Sequence, residues 1–150
     1  MINVEVQGID GLTKYLDAQH LGVTASSVAG MQKATLGVTR DAKKNAPVDT
    51  GRLRASITPS VQIKQATVEG VVGSNVVYAP TMEYGHKPYW PNVSELEVWA
   101  RRHGTTAYAV AKAIAKHGIK ARLFLQRAVE SNAKLIFEAI RDEVYKGLGK

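Results

Sequence analysis

Hydrophobic and polar residues alternate at the very start of the chain. Ile2, Val4 and Val6 are separated by polar neighbours, which is strand periodicity. Gly8 and Gly11 interrupt the pattern, and Ile9, Leu12 and Leu16 then suggest a short helix. From about 24 to 46 the spacing becomes helical: Val28, Met31, Val38 and Ala42 recur on one face, with Thr35 in the gap. Lys33, Arg40, Lys43 and Lys44 fall mostly outside that stripe, and Pro47, with no amide hydrogen to donate, stops the helix.

Strand signals return at 58–64, where Val61 and Ile63 alternate with Ser60, Gln62 and Lys64. They continue at 67–73 through Val68, Val71 and Val72, and again in the cluster Val76, Val77 and Tyr78. Three such runs so close together predict an antiparallel meander. Gly85, Pro88 and Pro91 mark a loop over 85–93. Ser94 with Glu97 three residues later has the form of a capping box, each side chain reaching a free backbone amide of the other. Leu96, Trp99, Ala100 and His103 share a face of the helix that follows, which places Trp99 in a core, and Gly104 ends it. A second helix is predicted over about 106–117 with Ala107, Val110, Ala111, Ile114 and Ala115 inward. The last runs over about 122–146 on a stripe of Leu125, Val129, Ala133, Ile136, Ile140 and Val144.

This segregation of helices and strands predicts an α+β fold, not alternating βαβ units. The expected architecture is a small antiparallel sheet of about three or four strands. It packs against a long helix from the N-terminal half and a C-terminal helix, with a helical-hairpin insert over 94–118. At 150 residues the chain has room for a single domain, 1–150, able to bury a core unaided.

Composition narrows the chemistry. There is no cysteine, which excludes disulfides and thiolate zinc sites. The histidines (His20, His86, His103 and His117) lack metal-ligand spacing, so no metal site is expected. The N-terminal residues show no signal-peptide pattern, and no apolar run approaches the roughly 20 residues needed to span a membrane. Ser56, Asp49 and a histidine form no triad that the sequence gives reason to assemble, and no Gly-x-Ser-x-Gly elbow is present. Gly70-Val71-Val72-Gly73 lacks the lysine and Ser/Thr of a phosphate loop. No catalytic residue and no cofactor are therefore expected.

The net charge of +7 is unevenly spread. Residues 1–57 carry 7 basic and 5 acidic groups, 58–92 carry 2 and 2, and 93–150 carry 11 and 6. Such an excess suits nucleic acid, an acidic protein surface, or simply a solvated face. Residues 94–122 also have the outline of a helix-turn-helix, with Arg101, Arg102, Lys112, Lys116, Lys120 and Arg122 on or beside it. A sequence-reading regulator is thus an alternative. Its second helix, however, opens Thr105-Thr106-Ala107-Tyr108-Ala109-Val110, poor in side chains that read base edges.

Two local patterns stand out. Ala46-Pro47-Val48-Asp49-Thr50-Gly51-Arg52-Leu53-Arg54-Ala55-Ser56-Ile57 ends a helix and caps a turn. Asp49 or Thr50 can accept from amides two or three residues on. Leu53 and Ile57 point inward, while Arg52 and Arg54 face outward or toward a carboxylate. The segment reads either as a plain connector or as a subunit contact through its arginines. In Tyr78-Ala79-Pro80-Thr81-Met82-Glu83-Tyr84-Gly85, aromatic residues flank one carboxylate, and Glu83 is a candidate bidentate partner for Arg52. Trp90, between prolines, reads as an exposed anchor for a partner or as core.

Taken with Ala121-Arg122-x-Phe124-Leu125-x-x-Ala128, these two blocks resemble the neck and tail-completion proteins of long-tailed double-stranded-DNA phages. The resemblance covers most of residues 25–130 and rests on the pairing of the Pro-x-Asp-Thr-Gly-x-Leu-x-x-Ser block with Glu-Tyr-Gly. The family often has Arg-Pro-Phe or Lys-Pro-Phe before the final helix, where this chain has Arg122-Leu123-Phe124. The resemblance implies a virion protein of the head–tail junction, made in the bacterial cytoplasm. It implies a ring of 6 or 12 copies as neck or tail-terminator protein. Its implied partners are the head connector or stopper and the tail tube or terminator, with DNA passing unread through the lumen. Arg52, Arg54, Glu83, Tyr84, Trp90 and Arg122 are the candidate interface residues.

Overall fold

The computed structural model describes residues 9–64 and 67–148, with residues 9–23 given by their backbone course alone. The expected strand over 2–7 lies outside them. The element order is α1 (Ile9–Asn45), α2 (Arg52–Ser56), β1 (Ile57–Lys64), β2 (Thr67–Ser74), α3 (Ala79–Tyr84), α4 (Val93–Arg102), α5 (Ala107–His117) and α6 (Phe124–Gly147). The class is α+β, as the sequence predicts.

The two helices expected at about 9–16 and 24–46 are one, the 37-residue α1, about 55 Å long at 1.5 Å per residue. An isolated glycine in a helix costs only about 1 kcal/mol, so Gly11 does not end it. The inner face of α1 is built of small residues: Ala34, Thr35, Val38, Thr39 and Ala42 are all buried, as is Ala46 just past its end. The two threonines bring no unpaired hydroxyl inside. Thr35 Oγ1 donates to the Met31 carbonyl at 2.9 Å and Thr39 Oγ1 to the Thr35 carbonyl at 2.7 Å. Such a face admits neighbours closely. A Cβ on Gly30 would come within 2.7 Å of the Ile140 Cα, so α6 crosses α1 nearly backbone to backbone at that point.

The sheet is smaller than expected, a two-stranded antiparallel hairpin running from Ile57↔Ser74 to Lys64↔Thr67. Pairing puts Pro59 opposite Val72, Val61 opposite Gly70 and Ile63 opposite Val68, and β1 and β2 both pack on α1. The third run, Val76-Val77-Tyr78, is not a strand. Ser74 Oγ accepts from the Val76 amide at 3.2 Å, and the Ala79 amide donates to the Val76 carbonyl at 2.9 Å. The chain therefore turns directly into α3, whose early Pro80 needs no donor there. Val76 goes into the core, and Val77 is 95% exposed.

The core gathers Val38, Ala42, Ala46, Leu53, Ile57, Val76, Ala79, Phe124 and Ala128. In α6 the fully buried line is Phe124, Ala128 and Asn132, one position away from the expected stripe, and Val129 is half exposed. Leu123 explains the offset: it takes the left-handed conformation at φ 51° just before α6 and rotates the helix so that Phe124 points inward. Burying that phenyl ring contributes about 1.5–3 kcal/mol. Asn132 replaces an apolar residue on the line. Its Nδ2 donates to Asp41 Oδ2 and to the Ala128 carbonyl, each at 2.8 Å, while Oδ1 has no partner. Among the described residues no helix is long and apolar enough to cross a membrane.

Candidate subunit interface

Glu83 organises the region where the sequence patterns meet. Helix α6 begins after Leu123, which offers no side-chain cap. Its first amides would be orphaned in a buried site. Glu83 supplies the missing acceptors from α3: Oε2 accepts from the Leu125 amide and Oε1 from the Gln126 amide, both at 2.9 Å. The adjacent carbonyls complete the joint. Met82 accepts from the Arg122 amide at 2.9 Å, and Glu83 from the Leu123 amide at 3.0 Å. A carboxylate at a helix N-terminus also opposes the positive end of the helix dipole. Glu83 is 2% exposed, and both of its oxygens are occupied. The expected pair with Arg52 therefore does not form.

This joint gives physical meaning to the spacing of the sequence blocks. The Glu-Tyr-Gly block caps the helix that the Arg122-Leu123-Phe124 block starts. Leu123 is held there by the α3 hydrogen bonds. Next to it, His86 and Ile119 form an antiparallel bridge, the His86 amide donating to Ile119 at 2.9 Å and the Ile119 amide to His86 at 2.8 Å. Glycines flank this bridge on both strands. Gly85 has φ 75°, and a Cβ on it would lie 2.5 Å from the Ile119 carbonyl oxygen. Gly118 has φ 71°, and a Cβ there would lie 2.3 Å from the His86 carbonyl oxygen. Both positions need a residue without a side chain.

Between the two bridge strands the chain makes the α4–α5 arm. Its first helix is capped two residues earlier than the expected Ser94–Glu97 box. Asn92 Oδ1 accepts from the Ser94 amide at 3.2 Å, and its Nδ2 donates to Glu95 at 3.1 Å. Thr106 caps α5 through the Ala109 amide at 3.2 Å. The arm's two helices bury only Ala100 and Ala111 fully. Trp99 is accordingly not core: it is 39% exposed and lies parallel on the His103 ring at 4.0 Å. Arg102 ties the arm to the body by forking onto Asp49, its Nε 3.1 Å from Oδ1 and its Nη2 on Oδ2. Asp49 thus serves the arm. Thr50 makes the local turn contact, its hydroxyl accepting from the Arg52 amide at 3.5 Å.

The other candidates lie on the surface. Arg52 and Arg54 are exposed on α2, and Arg122 is exposed beside the capped helix start. Tyr84, immediately after the buried Glu83, is 74% exposed. Trp90 is 55% exposed and meets the half-bare Tyr108 ring edge-on at 5.8 Å. None of these cations is in an ion pair among the described residues. The structure therefore brings Glu83 and Arg122 to one joint and Trp90 onto the arm, but leaves the two α2 arginines apart from Glu83. Three features escaped sequence reasoning: the Asp49–Arg102 clasp, the Asn132–Asp41 contact and the use of Glu83 as a cap. Only Asn132, a polar residue among apolar neighbours at helical spacing, carried a visible signal.

A shallow apolar groove of about 190 Å³ also opens between α1, β2 and α6, lined by Met31, Thr35, Gly70, Val72, Val129 and Ile136 among others. Among the described residues no group of three or more histidines and carboxylates is placed to hold a metal ion.

No curated protein and no solved structure matches the chain. The family described as "Bacteriophage HK97-gp10, putative tail-component" matches residues 10–85, from α1 through the Glu-Tyr-Gly block and up to the base of the arm. The chain belongs to this HK97-gp10-like family of phage tail components.

Proposed function

We propose that the chain is a structural subunit of the head–tail junction, closing with copies of itself into a ring of 6 or 12 as a neck or tail-terminator protein. In this reading it joins the head connector or stopper to the tail tube or terminator, and DNA passes through the lumen without being read. It uses no cofactor and catalyses nothing. The observation that carries the reading is a rigid buried joint at Glu83 with exposed Tyr84 and Arg122 beside it in the chain, and further bare aromatic and arginine side chains on the arm and α2. Tyr84, Trp90 and Tyr108 are each more than half exposed, and Arg52, Arg54 and Arg122 are exposed with no ion pair among the described residues. Trp, Tyr and Arg are the residue types that dominate protein interfaces. In a ring each subunit presents two different faces to its neighbours, and the contacts close when the rotation permits. Glu83 acts here as a positioning residue that holds Tyr84 and the α6 entry.

Electron microscopy of lysates from phage lacking the gene tests the proposal. Separated heads and tails, rejoined when the wild-type protein is added, are the expected result. Capped tails of normal length indicate a neck ring, and overlong tails a terminator. Intact infectious particles without the protein overturn the reading. Arg52→Ala, Tyr84→Ala and Trp90→Ala should fold normally and fail to rejoin the particles.

A further inference from the structure

From Val98 to Val129 the chain carries no Asp or Glu, while seven Arg and Lys residues fall in that stretch. Among the described residues only one of them, Arg102, has an acidic partner, Asp49. Elsewhere the balance is different. Asp41, Glu69, Glu138, Asp142 and Glu143 are each paired with a cation in the body of the fold. Glu97 and Glu130 bound the stretch without an ion pair among the described residues, and Glu83 at the joint is buried and hydrogen-bonded to two backbone amides. Five of the unpaired cations, Lys112, Lys116, Lys120, Arg122 and Arg127, follow one another along the second half of α5, the bridge strand and the first turn of α6, and all are exposed. Lys112 and Lys116 are four residues apart on the same outward face of α5, an axial spacing of about 6 Å.

We infer that this face contacts the backbone phosphates of duplex DNA without reading its sequence. Uncompensated surface cations keep their charge available for a polyanion, and neutralising phosphates releases condensed counterions. A lysine offers a point charge on a flexible stem, which suits contact with phosphates without a fixed geometry. Base readout has no donor set here, because the exposed start of α5 presents Tyr108 and Ala109, and Tyr108 is packed against Trp90. The inference deepens the ring reading by naming the residues that meet the DNA.

Fluorescence anisotropy of the purified full chain with two short duplexes of unrelated sequence tests it. Binding should be weak, with Kd on the order of 10⁻⁴–10⁻⁶ M at physiological salt, and equal for both duplexes. Log affinity should fall against log salt with a slope of about −4 to −5 for five contacts. Lys112→Gln with Lys116→Gln should make that slope shallower by about 2 and weaken binding about tenfold at low salt. The control pair Lys64→Gln with Lys134→Gln removes the same charge from cations already paired with Glu69 and Glu138, and should change little. No binding at low salt, an equal loss in the control pair, or a marked preference for one duplex would each overturn the inference. So would tighter binding to polyglutamate than to DNA at equal charge and salt, which would point to an acidic protein partner. The measurement needs neither heads nor tails, so its failure is separable from that of the joining assay.

Discussion

Replacing Glu83 by alanine removes both acceptors from the start of α6 and leaves the amides of Leu125 and Gln126 without partners at a site that is 2% exposed. Hydrogen bonds to a charged group contribute about 1.5–3 kcal/mol each, and an orphaned buried donor costs about 1–3 kcal/mol. An ordinary surface cap contributes less, about 0.5–2 kcal/mol, because water replaces it. Here the neighbouring Phe124 is wholly buried, so water reaches the amides only if the helix start opens. The expected loss is therefore about 3 kcal/mol, out of a total stability on the order of 5–15 kcal/mol. Urea unfolding followed by far-ultraviolet circular dichroism, at protein concentrations where the midpoint is independent of concentration, measures it. The midpoint should fall with the slope unchanged. Glu83→Gln should lose about 2 kcal/mol, since one amide keeps an oxygen while the other faces the new NH2 group. If Glu83→Ala lost less than about 0.5 kcal/mol, or Glu83→Gln matched the wild type, the carboxylate would not be the cap and the account of the joint would be wrong.

The remaining predictions concern the arm and the helix pair. Gly85→Ala combines a positive φ with a 2.5 Å approach to the Ile119 carbonyl and should cost about 2–4 kcal/mol, read as a drop in thermal midpoint; a neutral result would mean the bridge can open at no cost. Asp49→Asn and Arg102→Gln should show a coupling energy of only about 0.5–1 kcal/mol in a double-mutant cycle, because both side chains are partly exposed. Either change should nonetheless speed amide exchange in α4 and α5 without changing α1. The Asp41 carboxyl is held at about 2 by the Arg40 guanidinium and by the Asn132 amide, below its ordinary 3.8. A depressed carboxylate contributes stability above its unfolded pKa and loses it as pH falls through the folded one. Asp41→Asn should therefore lessen the drop in stability between about pH 4 and pH 2, measured as urea midpoints across that window.

The sequence was most legible where a local signal decides a local outcome. Pro47 ends α1 at Asn45, the Thr106 and Gly118 positions bound α5, and alternation marks β1 and β2 to within a residue. It was least legible where the outcome depends on a distant partner. Val76 and Val77 have strand propensity, but Ser74 captures the Val76 amide and no third strand forms. Glu83 between two tyrosines gives no hint that it is buried, because only the fold reveals which amides lie unsatisfied 42 residues later. The α6 stripe was displaced by one position through a single left-handed residue, Leu123, whose conformation the α3 carbonyls fix. Trp99 stayed on the surface because the arm packs two short helices on alanines and has no interior large enough for an indole. The candidate interface residues were found through the family blocks more than through periodicity, and the clasp on Asp49 needed the arm to be folded before Arg102 could be seen to reach it.

The bridge between His86 and Ile119 has a consequence for how such chains diversify. Residues paired across an antiparallel bridge have α-carbons about 5 Å apart, so everything from Lys87 to Gly118 leaves and re-enters the fold through one narrow doorway. The family match stops at Gly85, on the threshold of that doorway. The arm is therefore a cassette: a chain joined by a tight turn in its place would keep the α3–α6 joint, and a different module could be spliced in without rerouting the frame. The frame built by α1, α3 and α6 thus sets only the two ends of the arm and not its length or contents.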